Sequence, residues 1–178
     1  MRTDRRSAVS LAVAAVAAVA AVAAVTVLAG GAGAGAVQAA PVTGAAPSAC
    51  RPANHIAKIT GADRTAGHRH YRVTLTAPRG YAPCELAGSP TGTRFLDHGS
   101  DSGVSPGRHG AQDAVTTFGP GRPVHFDIRV PSGASATSAD EASFTLRAPD
   151  GEIPGTSFAE GALEVAPGTL IGPVQQGA

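Results

Sequence analysis

From Cys50 onward, apolar and polar positions alternate in short runs, and Gly, Pro, Asp and Ser bound each run. The clearest is HYRVTLT (70–76), which sets Tyr71, Val73 and Leu75 on one face and Arg72, Thr74 and Thr76 on the other. PVHFDIRV (123–130) repeats the pattern, with Val124, Phe126, Ile128 and Val130 against His125, Asp127 and Arg129. Further strands are predicted at NHIAKIT (54–60), GTRFLD (92–97), AVTTFG (114–119), ASFTLRA (142–148), ALEVA (162–166) and TLIGPV (169–174). Turns are expected at DHGSDSG (97–103), PGR (120–122), PDG (149–151) and Pro167-Gly168. No helical period occurs in this part of the chain. Seven to eight short strands at such spacing predict an all-β domain, an antiparallel β-sandwich of immunoglobulin-like type. Clean alternation leaves one face of each sheet wet. Two polar connections interrupt the pattern, at 98–113 and 131–141, and their Gly/Ser content predicts mobile loops.

The first residues follow a different rule. Arg2, Arg5 and Arg6 precede an apolar run from Ala8 to Ala29 that only Ser10 and Thr26 interrupt. A small-residue segment follows, and Val37-Gln38-Ala39 fits a cleavage site, which predicts a signal peptide over 1–39. The apolar run is also long enough to cross a bilayer, so an uncleaved membrane anchor is the alternative. Residues 40–49, APVTGAAPSA, read as a flexible spacer, and 50–178 as the β domain. With either fate of the leader the domain is secreted or extracytoplasmic. The leader takes three Arg and one Asp with it, leaving 11 basic against 12 acidic residues. That near-neutral balance offers no footprint for nucleic acid. Contact with a membrane is expected only through an uncleaved leader, and the domain is expected to be a monomer.

Candidate chemistry is sparse. Cys50 and Cys84 are the two cysteines, and an even count in an exported chain predicts one disulfide. Closing a loop of about 35 residues is worth roughly 3–4 kcal/mol by the chain-entropy estimate. A pair of free or metal-binding thiols is the alternative, although two cysteines without companions make a poor zinc set. His68 and His70 are two apart, so on a strand they share a face and form a weak candidate metal pair; His55, His98 or His109 could supply a third ligand. Asp101-Ser102-Gly103 echoes the surroundings of trypsin-like nucleophiles without the context such a site needs, and no nucleophile elbow or His-Glu-x-x-His occurs. Asp140-Glu141 and Asp150/Glu152 are the candidate carboxylate pairs for glycoside chemistry, but the chain has no Trp and only two Tyr to form a sugar platform. No catalytic residue and no cofactor are expected.

YRVTLTAPRGYAPCELAGSPTGTRFLDHGSDSG (71–103) resembles the family catalogued as domain of unknown function 4232, in its Pro-Cys-x-Leu-x-Gly-x-Pro stretch and the strand ending in Leu-Asp. TTFGPGRPVHFDIRV (116–130) and LEVAPGTLIGPV (163–174) are similar to its later strands and closing hairpin. The resemblance spans roughly 50–174 and implies an exported or membrane-anchored actinobacterial protein without an assigned activity. This chain lacks the second cysteine pair that members often carry. The resulting expectation is a non-catalytic binding or scaffolding module facing an unknown protein or envelope component. The alternative is a small secreted enzyme or enzyme inhibitor acting through the 98–113 loop.

Overall fold

The computed structural model describes residues 44–133 and 135–178; the expected signal peptide (1–39) and the start of the spacer lie outside the described residues. A 3₁₀ turn at Pro52–Asn54 opens into β1 (Ile56–Thr65), β2 (His68–Thr76), β3 (Cys84–Ala87), β4 (Thr91–Asp97), β5 (Ser100–Asp101) and β6 (Gly107–Arg108). The chain continues through β7 (Val115–Phe118), β8 (Val124–Pro131), β9 (Thr137–Thr145), β10 (Arg147–Ala148) and β11 (Gly151–Glu152). It ends with β12 (Ser157–Val165), β13 (Leu170–Ile171) and β14 (Gln175–Gln176). Ten of these form one sheet in the order β5-β4-β9-β12-β1-β2-β8-β13-β6, with β14 also on β8; β3–β7 and β10–β11 are separate ribbons.

Two halves, antiparallel except for the short β13–β6 pairing at one edge, make up the large sheet, and a parallel seam joins them. β1 runs parallel to β12, with Ala57 opposite Ala159 and Lys58 opposite Glu160. Phe126 on β8 and Phe144 on β9 meet edge to face at 5.1 Å, although three strands separate β8 from β9 in the sheet. The sheet therefore curls until its inner face closes on itself. Val73, Leu75, Phe95, Val124, Phe126, Ile128, Phe144 and Val165 are fully buried on that face. Burial of such side chains is worth about 1.5–3 kcal/mol each.

The all-β class holds, but the expected antiparallel sandwich of seven to eight strands is corrected. Among the described residues there are fourteen strand segments, and the main sheet is mixed because β1–β12 and β13–β6 pair in parallel. The loop expectations also change. Residues 137–141 belong to β9, paired with both β12 and β4. Residues 98–113 contain β5 and β6, and the backbone N–H groups of Gly107 and His109 donate to Thr169 and Ile171 carbonyls. The end of the expected spacer is paired too: Ala82 N–H donates to the Pro47 carbonyl, and Ala49 N–H to the Ala82 carbonyl, both at 2.9 Å. Predicted turns at Pro120-Gly121 and Pro167-Gly168 form, with φ +71° at Gly121 and +87° at Gly168. Those angles suit glycine at the third position of a type II turn.

Three constraints fix how the N-terminal chain meets the sheet. Cys50 and Cys84 are disulfide-bonded, with Cα atoms 6.0 Å apart, tying the start of the domain to β3. His55 bridges the Ala49 carbonyl (Nδ1, 3.0 Å) and the Ser157 hydroxyl (Nε2, 3.0 Å). The carbonyl can only accept, so Nδ1 carries the proton and Nε2 accepts from Ser157. Gly161, at the bulge of β12, has φ +147°, and a Cβ there would lie 2.3 Å from the Ile59 carbonyl oxygen.

Each constraint yields a measurable expectation. Replacing both Cys50 and Cys84 by alanine will lower unfolding free energy by roughly 3–4 kcal/mol in denaturant titrations. Gly161→Ala combines a backbone clash with an unfavourable φ and will cost about 2–4 kcal/mol or prevent folding; a wild-type melting curve would remove the close approach from the account. Burial, outweighing the Ala49 and Arg51 backbone bonds, holds the His55 pKa below its ordinary 6.5. Its neutral form therefore contributes stability fully above about pH 6.5, and this is lost as pH falls through the window between 6.5 and the lowered folded value. Between about pH 7.5 and about pH 5.5, the wild type should lose more melting temperature than His55→Gln.

Candidate functional site

A hollow of about 960 Å³ lies where the N-terminal segment before β1, β3 and the β10–β11 hairpin come together. Its walls are Pro52 and Ala53 of the 3₁₀ turn, Ala148 and Pro149 of the hairpin, and Ile153 and Pro154 beyond it, with the Cys50–Cys84 disulfide at one side. The sequence forms an open cleft here for local reasons. Pro149-Asp150 is the two-residue turn between Ala148 and Gly151, and beyond the two pairs of the hairpin Ile153 N–H donates to the Leu146 carbonyl before Pro154. Pro52 packs so closely on Gly155 that a Cβ there would meet its Cγ at 3.0 Å. Proline lacks the donor needed to extend either ribbon across the gap.

The lining is mostly apolar, and three charged side chains sit at its lip. Arg51, Glu85 and Asp150 are exposed there, and none forms an ion pair among the described residues. Thr156 lines the cleft, and Phe158, two residues further on β12, shares its face. Phe158 is 55% exposed and Ile56 57% exposed. The register of Ala57 against Ala159 puts these two side chains side by side on the outer surface. An apolar ridge thus extends the cleft along the β1–β12 seam.

The candidate residues from sequence are placed as follows. His68 and His70 share the outer face of β2, with ring centroids 6.4 Å apart. His68 Nδ1 faces the Arg129 Nη2 donor at 3.2 Å, and His70 Nε2 meets the Thr65 hydroxyl at 2.8 Å. His55 is held in the fold, away from that pair, by Ala49 and Ser157. Asp101 and Ser102 close the loop they belong to: Asp101 accepts from Gly103 N–H and from Arg94, and Ser102 Oγ accepts from Val104 N–H. Asp140 and Glu141 are consecutive strand residues with side chains on opposite faces, and Glu152 accepts from the Thr91 hydroxyl at 2.6 Å.

One cluster was not visible in the sequence. Asp97, His98 and Asp140 bring ligand-type atoms within 4.8 Å of one another at the β4–β5 turn. His98 adopts φ +49° next to Gly99, as the two-residue turn between Asp97 and Ser100 requires. Its hydrogen bond to Asp97, with the Asp140 and Asp97 charges adding to it, raises its pKa above the ordinary 6.5. The cluster depends on β4 pairing with β9, and only Asp97-His98 is adjacent in sequence. The cleft was equally hidden, because its Pro, Ala and Gly walls carry the signal of ordinary turns.

No curated protein and no solved structure matches the chain. The family described as Domain of unknown function (DUF4232) matches it over residues 50–171, from the disulfide's first cysteine to the strand that closes β8. That span holds most of the sheet, the cleft apart from Ser48, and the His68–His70 face, and the chain belongs to the DUF4232 family.

Proposed function

We propose that this domain is an exported, non-catalytic binding module of the cell envelope or the surrounding medium, and that the cleft beside the disulfide takes an apolar segment of its partner. The observation that carries this reading is the cleft itself. Its size is at the upper end of ordinary ligand sites, and it combines apolar walls with a few polar groups at the rim. The Phe158–Ile56 ridge next to it adds apolar surface of the kind that marks contact sites. The Ser, Asp and His residues considered for a nucleophile are engaged in turns and structural hydrogen bonds, which favours binding over hydrolysis. The Cys50–Cys84 disulfide is consistent with an oxidising compartment, as is the leader read from the sequence. The 98–113 segment is bonded along β13, which suits a structural connection better than a projecting inhibitory loop.

Nile red provides a test because it reports an apolar cleft without a charge of its own. The folded wild-type domain should bind it saturably, and Ala53→Trp, which fills the exposed wall of the cleft, should weaken binding at least about fivefold at an unchanged melting temperature. Absent saturable binding, or equal affinity in the variant, would remove the cleft as the site.

A further inference from the structure

The face of the sheet carrying β2 and β8 holds a second group of side chains, on different elements from the cleft. Arg129 lies directly opposite His70 in the β2–β8 ladder, so the two share a face, and His68, opposite Pro131, is two pairs further along. Arg129 is half-buried, and its Nε is buried without a hydrogen-bond partner among the described residues. Among the described residues the arginines in ion pairs are Arg69, Arg72 and Arg94, of which only Arg72 shares this face; Arg129 is not among them. Withdrawing a cation from water without a counter-charge is costly, and an oxyanion seated on it would offset that cost.

The neighbouring groups fit the same ligand. A guanidinium only donates, so His68 Nδ1 must accept from Arg129, which leaves Nε2 as the donor of the ring. The Arg129 Nη2 donor, 3.2 Å from that Nδ1, occupies the place a metal ion would need, which makes the pair better suited to an anion than to a cation. Beside His70 lies a polar hollow of about 350 Å³, lined by Thr60, Asp63, Arg72 and Asp127. Arg72 and Asp127 pair at 3.3 Å, and Arg72 Nη1 donates to the Ala178 oxygen at 3.4 Å, so that arginine is locally balanced; Asp63 is the remaining carboxylate of the lining and is exposed. Closely spaced carboxylate, guanidinium and hydroxyl groups can serve the paired donors and acceptors of sugar hydroxyls.

We propose that Arg129, His68 and His70 form a binding site for an anionic sugar, its acidic group on Arg129 and its hydroxyls in the hollow lined by Arg72 and Asp127. The site is independent of the apolar cleft. Glucuronate and glucose 6-phosphate, with glucose as the neutral control, are titrated into the full domain while the His68 and His70 ring resonances are followed by NMR. At least one anionic sugar should shift both rings saturably, with half-saturation below about 10 mM. Whichever arm responds tells a carboxylate source from a phosphate source. Arg129→Gln should weaken that binding at least about fivefold. Rings unmoved by either anion in the wild type would overturn the proposal, with no need for a variant to fold. So would equal binding of glucose, or undiminished affinity in a folded Arg129→Gln protein.

Discussion

The fold depends on the short parallel contact between β1 and β12. One half contains β5, β4, β9 and β12; the other contains β1, β2, β8, β13 and β6. Only Ala57–Ala159 and Lys58–Glu160 pair across the join. Small residues meet there because the backbones approach closely: the Ile59 carbonyl lies against Gly161, where any side chain would collide. The bulge after Glu160 then bends β12 away from β1, and the sheet turns inward so that Phe126 and Phe144 can touch. Without that bend the apolar faces of the two halves would remain exposed to water.

The Cys84 stretch serves the same geometry. Cys84 is covalently tied to Cys50, Leu86 is fully buried, and Gly88 takes φ +63° with its Cβ direction blocked by the Gln112 carbonyl at 2.5 Å. Gly88 N–H donates to the Ala114 carbonyl, and the Gly88 carbonyl accepts from Val174 N–H. Ser89, fully buried, donates its hydroxyl to the Ile171 carbonyl and its N–H to Gln112 Oε1. The stretch from Cys84 to Ser89 thus connects the N-terminal segment, the long connection and the C-terminal segment around β13. The spacing of cysteine, leucine and glycine reflects three neighbours that each need a different property: a bond, an apolar volume and a left-handed backbone.

Strand identity was legible because alternation is a local property. Val124, Phe126, Ile128 and Val130 are all buried, as the period of two requires. Pairing partners were not legible, since nothing near Ala57 indicates Ala159, and so the parallel seam was missed. β9 was read as a loop over 137–141 because its residues there are Thr, Ser, Ala, Asp and Glu; two flanking strands hold it in place of any intrinsic preference. Phe158 departs from the simple expectation that aromatics go inside. Ser157, Ala159 and Leu163 take the inward positions of its strand, so the ring faces outward. His68 and His70 were recognised as sharing a face, but Arg129, which gives that face its character, lies on a strand paired only through the fold.

The disulfide also determines how the domain answers to traction. A pull on the chain ahead of Cys50 passes through the sulfur bridge directly to Cys84, 34 positions later, leaving the β1–β2 hairpin outside the path of the force. That hairpin supplies one strand of the seam and the two histidines of the outer face. For a domain held by its N-terminal end in moving fluid, strain would reach β3 and the cleft wall first, and the bridge would keep the intervening residues from being drawn out as slack.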